Sequence, residues 1–140
     1  MSNANLVQEF ISQCWNGRNF TNMATFFHPD YFDHSLPPTL VQGPAGTQKW
    51  IELTGTSFAH HTVIEDQVTE GDKSVVRIRM QLKHTGAWRD IEATGIKLET
   101  TGYRFFEFRD GKIIAHRALI DGQTIENKLR QAAHGCKVGG

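Results

Sequence analysis

The chain has few of the features that mark a metal protein, a disulfide scaffold or a membrane protein. Its two cysteines are Cys14, in an apolar helical stripe, and Cys136, in a glycine-rich tail. Neither has the Cys-x-x-Cys or Cys/His spacing of a metal site. We expect Cys14 to be a buried free thiol and Cys136 an exposed one. No apolar run approaches the roughly 20 residues that span a bilayer, which argues against a membrane helix.

An excess of charge of one sign is also lacking. Lys and Arg number 15, as do Asp and Glu, so no net field attracts nucleic acid or an anionic membrane. Residues 1–5 have neither the charge nor the apolar block of a signal peptide. The sequence therefore predicts a cytoplasmic protein that binds neither nucleic acid nor membrane.

What the chain does have suits one globular domain. It has 140 residues, of which 39% are hydrophobic and 10% aromatic, enough for a substantial core. Apolar residues recur at helical spacing in the first part and at alternate positions after about residue 61. Helices are predicted over 6–15, 20–27, 45–58 and 123–133. Strands are predicted over 61–69, 74–84 and 88–94, followed by a hairpin at 104–121.

Two segments are predicted to be irregular. Residues 29–44 contain Pro37-Pro38 and Gly43 and are predicted to be a loop. Residues 135–140 are predicted to be a disordered tail. Three helices, an antiparallel sheet and a last helix indicate an α+β fold, with the helices on one face of a curved sheet.

The segment from Arg104 to Asp121 is the most informative part of the chain. Asp110-Gly111 allows positive φ at both central positions of a tight turn, which predicts a hairpin. The second strand is almost wholly apolar, yet it contains His116 and Arg117. Ionisable groups among core residues are costly to bury unless they are paired or functional. We therefore expect the chemistry here.

Both alternating rows of this second strand are mostly apolar, so both of its faces should be covered. One face should meet the helices and the other a second subunit. We assign Arg117 and Asp121 to the row that faces the pocket and His116 to the dimer side. A homodimer through the outer face of the sheet is the expected assembly.

Several segments together carry a family likeness. They are His28-Pro29-Asp30-Tyr31-Phe32-Asp33-His34, Gly43-Pro44-Ala45-Gly46, Glu70-Gly71-Asp72 before a strand with Arg77, His84-Thr85-Gly86, and Phe106 to Asp121. In this order they resemble the SnoaL-like polyketide cyclases of the nuclear transport factor 2-like superfamily. The resemblance implies a single SnoaL-like domain over residues 1–140, a cone of N-terminal helices packed on a curved antiparallel or mixed sheet.

The resemblance specifies the fold better than the reaction. The superfamily contains cyclases, isomerases, epoxide hydrolases, dehydratases and proteins without catalytic activity. This chain also departs from the family at two positions, with Arg117 in place of the usual Trp and Ala115 in place of a frequent Glu. The identity of the substrate therefore cannot be transferred from the family to this chain.

The resemblance implies that Asp121 is the general acid/base of an intramolecular aldol closure. A carboxylate at the apolar end of a strand would have a raised pKa, but Asp121 could equally cap the last helix. His34 and His84 would position or relay the proton; alternatively, His34 is a structural loop residue and His84 reaches solvent at a strand end. Arg117 or Arg104 would stabilise developing negative charge.

Aromatic side chains would complete the pocket. Tyr31, Trp50, Phe58, Trp88 and Phe105 would form a wall for a flat hydrophobic small molecule, unless they only pack the core. The adjacent His60-His61 pair is not expected to bind a metal, because neighbouring residues of a strand point to opposite faces.

The leading hypothesis is a cofactor-independent acid/base enzyme of secondary metabolism. It would cyclise or isomerise a small apolar, carbonyl-bearing, polyketide-like metabolite. The alternatives are an epoxide or lactone hydrolase that uses an Asp-activated water, and a non-catalytic ligand-binding or dimerisation module.

Overall fold

The computed structural model describes residues 1–139 and the side chains of residues 1–134. In this part of the chain, four α-helices pack on an unclosed five-stranded mixed sheet, which confirms the predicted α+β class. The helices are α1 (Asn3–Phe10), α2 (Met23–Phe26), α3 (Pro44–Ser57) and α4 (Gly122–Gly139), and a π-helix (Ile11–Asn16) continues α1. The strands are β1 (Phe27–Asp33), β2 (Phe58–Glu70), β3 (Lys73–His84), β4 (Lys97–Arg109) and β5 (Lys112–Ile120).

The order of strands in the sheet is β1-β5-β4-β3-β2. The edge strand β1 runs parallel to β5, and the other neighbours are antiparallel. The predicted hairpin is confirmed, because Asp110 and Gly111 have φ values of 52° and 72° and join β4 to β5. In the described residues, no helix has both the length and the apolar character needed to cross a membrane.

Three predicted elements need correction. The start of the predicted loop over 29–44 overlaps β1, whose parallel partner β5 lies far along the chain and leaves no local signal. The predicted strand at 88–94 is only an isolated bridge between Trp88 and Ile91, around two residues with positive φ. Helix α4 extends beyond the predicted 123–133. The side chains of 135–140, including Cys136, lie outside the described residues, so the predicted exposure of Cys136 stays a prediction, as does the disorder of this tail.

The amphipathic N-terminal segment supplies the helical side of the core. Its buried residues follow the predicted stripe: Leu6, Val7, Phe10, Ile11, Cys14 and Trp15. Cys14 is a buried free thiol, as predicted, and burial raises its pKa to about 11. The Cys14 thiol is therefore unreactive near neutral pH, because the thiolate is the reactive form.

A β-bulge in β5 decides which of its side chains face the helices. Glu107 pairs with Ala115 but the next residue, Phe108, pairs with Ile113, so Ile114 is an extra residue. Ile113 is buried, and after the bulge the buried position is His116, while Arg117 is exposed. The assignment of Arg117 to the pocket row and of His116 to the dimer face is therefore wrong.

Candidate active site

A cavity with two compartments lies between the helices and the sheet. The outer compartment has a volume of about 490 Å³ and mostly apolar walls, which include Trp50, Phe58, Met80, Leu82, Trp88 and Ile125. The inner compartment has a volume of about 130 Å³ and is richer in polar groups, which include Tyr31, Asp33, Ser35, Thr47, Arg104 and His116. Trp15, Trp50, Arg104 and Ile120 line both compartments, so the two adjoin.

A buried imidazole–carboxylate pair lies in the inner compartment. Nδ1 of His116 is 3.0 Å from Oδ1 of Asp33, and each residue is only 5% exposed. The pairing of β1 with β5 creates this contact, because Asp33 and His116 are direct partners in the parallel ladder. The two groups therefore meet through topology, although they are far apart in sequence.

The carboxylate of Asp33 is held in place from several directions. Its Oδ1 also accepts hydrogen bonds from the backbone N–H and the hydroxyl of Ser35, at 2.9 and 3.1 Å. The Gln42 side chain accepts from the backbone N–H of Asp33 and donates to its carbonyl. Burial alone would raise the pKa of Asp33, but the hydrogen bonds from His116 and Ser35 outweigh it and keep the pKa below its usual value. Asp33 is thus an ionised acceptor.

The hydrogen bond to this carboxylate fixes the tautomer of His116. Nδ1 carries the proton that is donated to Asp33, so Nε2 is unprotonated and its lone pair faces Nη1 of Arg104 at 3.5 Å. Burial lowers the pKa of His116; the bond to Asp33 opposes that shift, and the nearby Arg104 charge adds to it. A neutral imidazole with an unprotonated Nε2 is the resting state of a general base.

Arg104 is a buried cation without a bound carboxylate. It is 4% exposed, and no carboxylate oxygen lies within ion-pair distance of its guanidinium among the side chains of residues 1–134. Its Nη1 lies 3.5 Å from Nε2 of His116, and its Nε has no hydrogen-bond partner. Burial lowers its pKa to about 10, which still leaves it charged near neutral pH. Its N–H groups are therefore available to an oxygen of a ligand.

Tyr31 adds a neutral hydroxyl to the same compartment. Its ring stacks on Phe27, with 4.1 Å between the ring centroids. Burial, followed by the negative charge of Asp33, raises the pKa of the phenol above its usual value. Tyr31 consequently keeps its proton and can donate a hydrogen bond.

Comparison with known proteins identifies the family. The model of the SnoaL-like polyketide cyclase family matches residues 5–129, which is most of the chain. The chain belongs to the SnoaL-like polyketide cyclase family. A comparison with curated proteins gives no match.

Solved structures share the fold of this SnoaL-like protein. TsrD from Streptomyces laurentii is 22% identical with a TM-score of 0.78, and the match covers 92% of this chain and 97% of TsrD. IdmH from Streptomyces antibioticus is 20% identical with a TM-score of 0.78, over 90% and 96% of the two chains. A SnoaL-like polyketide cyclase from Agrobacterium tumefaciens is 17% identical with a TM-score of 0.77, over 92% and 99%. At these identities the likeness establishes the fold alone.

Asp121 of this SnoaL-like protein is an exposed helix cap. Its Oδ1 accepts from the backbone N–H of Thr124 at 3.0 Å, and its Oδ2 accepts from the Thr124 hydroxyl at 2.7 Å. These hydrogen bonds lower the pKa of Asp121, so the expected raised pKa is wrong. The contacts fit the alternative offered by the sequence, in which Asp121 caps α4.

The two predicted relay histidines do not meet Asp121. The His34 side chain is exposed, with its ring 4.8 Å from that of Phe32. His84 is fully buried, which corrects the alternative of a strand-end residue reaching solvent. Its Nδ1 accepts from the Thr94 backbone N–H, and its Nε2 has no partner in the part of the chain that the structure describes. The structure does not bring the three predicted catalytic residues together, and their roles stay predictions.

The predicted substrate-binding residues divide between the two faces of the sheet. The structure places Tyr31, Trp50, Phe58, Trp88 and Arg104 in the walls of the cavity. Arg117 is instead exposed on the outer face and pairs with Glu107 at 3.0 Å. Phe105 is the ladder partner of Arg117 and shares that face, so it does not belong to the aromatic wall.

The sequence analysis did not identify Asp33 as a site residue, and it assigned His116 to the wrong face of the sheet. One usable signal existed, since Asp33 follows Tyr31 by two residues and should share its face.

The partly buried His60 and exposed His61 lie next to each other. In the residues that the structure describes, no three His, Cys, Asp or Glu side chains form a group that could hold a metal ion.

Proposed function

We propose that this protein is an acid/base enzyme that cyclises or isomerises a small, apolar, carbonyl-bearing metabolite of polyketide-like type. The supporting observation is the buried His116–Asp33 pair beside Arg104, at the polar end of an aromatic-lined cavity. The proposal moves the catalytic role from Asp121 to His116 because His116 lies in the wall of the inner compartment with an unprotonated Nε2, whereas Asp121 is exposed.

The reaction begins with proton transfer to Nε2 of His116. The C–H bond next to a substrate carbonyl breaks, and its electron pair moves to the carbonyl oxygen as an enolate. Arg104 donates hydrogen bonds to that oxygen, and Asp33 stabilises the imidazolium that has formed. A positioned general base typically contributes a factor of about 10²–10⁴ to the rate.

The proton then returns from His116 to the product. In a cyclisation, the enolate carbon attacks a second carbonyl of the same molecule, and the resulting alkoxide takes the proton. In an isomerisation, the proton is added at a different carbon. Each route conserves the atoms of the substrate and regenerates the neutral imidazole.

The outer compartment would bind the apolar body of the substrate. Its volume of about 490 Å³ is in the range of small-molecule sites, roughly 300–1,000 Å³. Trp50, Phe58 and Trp88 provide flat apolar surfaces, which suit a planar or polycyclic ligand.

The test uses a bicyclic aromatic ketone, 2-tetralone, as a probe. Its α-hydrogens exchange with deuterium in D₂O, and NMR follows the rate with and without protein. We expect catalysed exchange that falls by about 10²–10⁴-fold in H116Q and also falls in D33N. D121N is the matched control and should keep the wild-type rate. Full exchange in H116Q, or equal losses in D121N and H116Q, would reject the proposed base.

A second candidate is hydrolytic opening of an epoxide or lactone. The inner compartment, with about 130 Å³, has room for a water beside a substrate, since one water occupies about 30 Å³. His116 would take a proton of that water as its oxygen attacks a ring carbon; the C–O bond of the epoxide or lactone ring then breaks, and the released oxygen takes the proton from His116. Solvent water labelled with ¹⁸O distinguishes the hydrolase from the cyclase, because hydrolysis places the label in the product and cyclisation does not.

We also propose a homodimer through the outer face of the sheet. Tyr103 and Leu119 are direct partners in the β4–β5 ladder, lie on that face and are 53% and 78% exposed. Such residues, when clustered, mark association surfaces.

A further inference from the structure

The side chain of Arg104 has few hydrogen bonds to hold it, although the proposed mechanism requires its guanidinium to lie at a defined position. Among the side chains of residues 1–134, its single side-chain hydrogen-bond contact is the long one of 3.5 Å to His116, and its Nε has no partner. The guanidinium also packs on the face of the Trp15 ring, with its Cζ 4.3 Å from the ring centroid. A desolvated cation over a Trp face gains about 2 kcal/mol or more, so Trp15 is the main fixed contact of the guanidinium.

Trp15 is itself held by an unusual piece of helix. It lies in the π-helix Ile11–Asn16, where Gly17 N–H donates to the carbonyl of Ser12, five residues back. π-Helical turns are rare and are frequent at functional sites. The next residue, Asn16, exchanges two hydrogen bonds with the backbone of Thr62 in β2, at 2.9 and 2.7 Å.

These two hydrogen bonds attach the end of the π-helix to the sheet. The side chain of Trp15 is 3% exposed and lines both compartments of the cavity. The ring of His60 in β2 meets it edge-on, with 5.9 Å between centroids. Trp15 therefore has a fixed position on the boundary between the apolar and the polar compartment, with Arg104 against its face.

We propose that Trp15 is a positioning residue, which holds the guanidinium of Arg104 beside Nε2 of His116 and so assembles the base and the oxyanion donor into one site. The inference deepens the proposed function and rests on it for the catalytic meaning of that arrangement. Without the indole face, the guanidinium is free to turn away from His116, toward the outer compartment that Arg104 also lines.

The consequence can be measured on His116 without any substrate. The titratable groups around its ring are Asp33 and Tyr31 from β1 and Arg104 from β4, whereas the π-helix contributes the uncharged Trp15. A like charge beside Nε2 disfavours the imidazolium. Moving Arg104 away therefore raises the pH at which His116 titrates.

The experiment is an NMR titration of the histidine rings in the whole protein, with the His116 signal assigned by its loss in H116Q. R104M should shift the His116 midpoint to higher pH, because the cation is removed. W15L should shift it in the same direction, whereas W15F, which keeps an aromatic face, should stay close to wild type. In the R104M background, W15L should cause no further shift, since Trp15 acts through Arg104.

Two results would overturn the inference. One is a wild-type midpoint in W15L while R104M is shifted. The other is an equal W15L shift with and without Arg104, which would mean that Trp15 affects His116 by burial alone. If W15L does not fold, W15M takes its place, because methionine adapts to irregular space. The 2-tetralone exchange in H116Q tests the proposed function separately, so the two can fail independently.

Discussion

His60 provides a quantitative test of the electrostatics next to the site. Its two ring nitrogens are buried and have no hydrogen-bond partner among the described residues, and its ring meets Trp15 edge-on. Burial, with the charges of Arg18 and Arg104, lowers the pKa of His60 from 6.5 to about 4. The folded protein thus keeps this imidazole neutral at a pH where the unfolded chain protonates it.

The sign of the effect on stability follows from proton binding. Between about pH 4 and 6.5 the unfolded state binds more protons at His60, so stability increases with pH in this window. The contribution is complete above 6.5 and is lost as the pH falls toward 4. A pKa difference of this size corresponds to about 3 kcal/mol, at about 1.4 kcal/mol per pKa unit. We reduce this to about 2 kcal/mol because the ring is partly exposed and screened by solvent.

The variant H60L removes the titrating group and keeps an apolar side chain of similar size. Urea unfolding of wild type and H60L at pH 7.5, 6.5, 5.5 and 4.5 gives the free energy of unfolding of each. Wild type should lose about 2 kcal/mol more than H60L across this range, whereas H61L, at the exposed neighbour, should follow wild type. Parallel curves for wild type and H60L would show that His60 is not held neutral by its surroundings.

Four further predictions concern single positions. Replacing Asp121 by Ala should lower the Tm by removing the cap of α4, yet leave the 2-tetralone exchange unchanged. Replacing Ala118, in the wall of the inner compartment, by Leu should abolish exchange while circular dichroism stays native, because the polar compartment is filled. Gly46→Ala should destabilise the fold by about 3 kcal/mol or more in urea unfolding, because its Cβ would lie 1.6 Å from the carbonyl oxygen of Val41. If the homodimer exists, Leu119→Glu should convert it to a monomer in light scattering, and a wild-type monomer would reject the proposed interface.

The sequence was sufficient for the elements that depend on local patterns. The helical stripe from Leu6 to Trp15 and the alternation in β3 are periodic signals, and Asp110-Gly111 is a local turn signal. Each appears in the structure close to where it was predicted. The resemblance to SnoaL-like proteins gave the fold class for the same reason, since it rests on the order of such segments.

The site could not be predicted in the same way because it depends on contacts between distant residues. Asp33 meets His116 only because β1 is a parallel neighbour of β5, and the sequence near Asp33 resembles a loop. The face of His116 was predicted by strict alternation along β5, which the bulge at Ile114 breaks. The sequence did predict, as one of two alternatives, that Asp121 caps the last helix, because N-capping depends on local sequence.

The bulge also means that β5 has one residue more than its ladder needs. Phe108 pairs with Ile113 and Phe106 with His116, so deleting Ile114 would leave Ala115 opposite Glu107 in a regular ladder and keep His116 on the buried face. A one-residue deletion in a regular strand turns each later side chain to the opposite face. At this point of β5 the same deletion would instead restore strict alternation, and the imidazole would still face the carboxylate of Asp33.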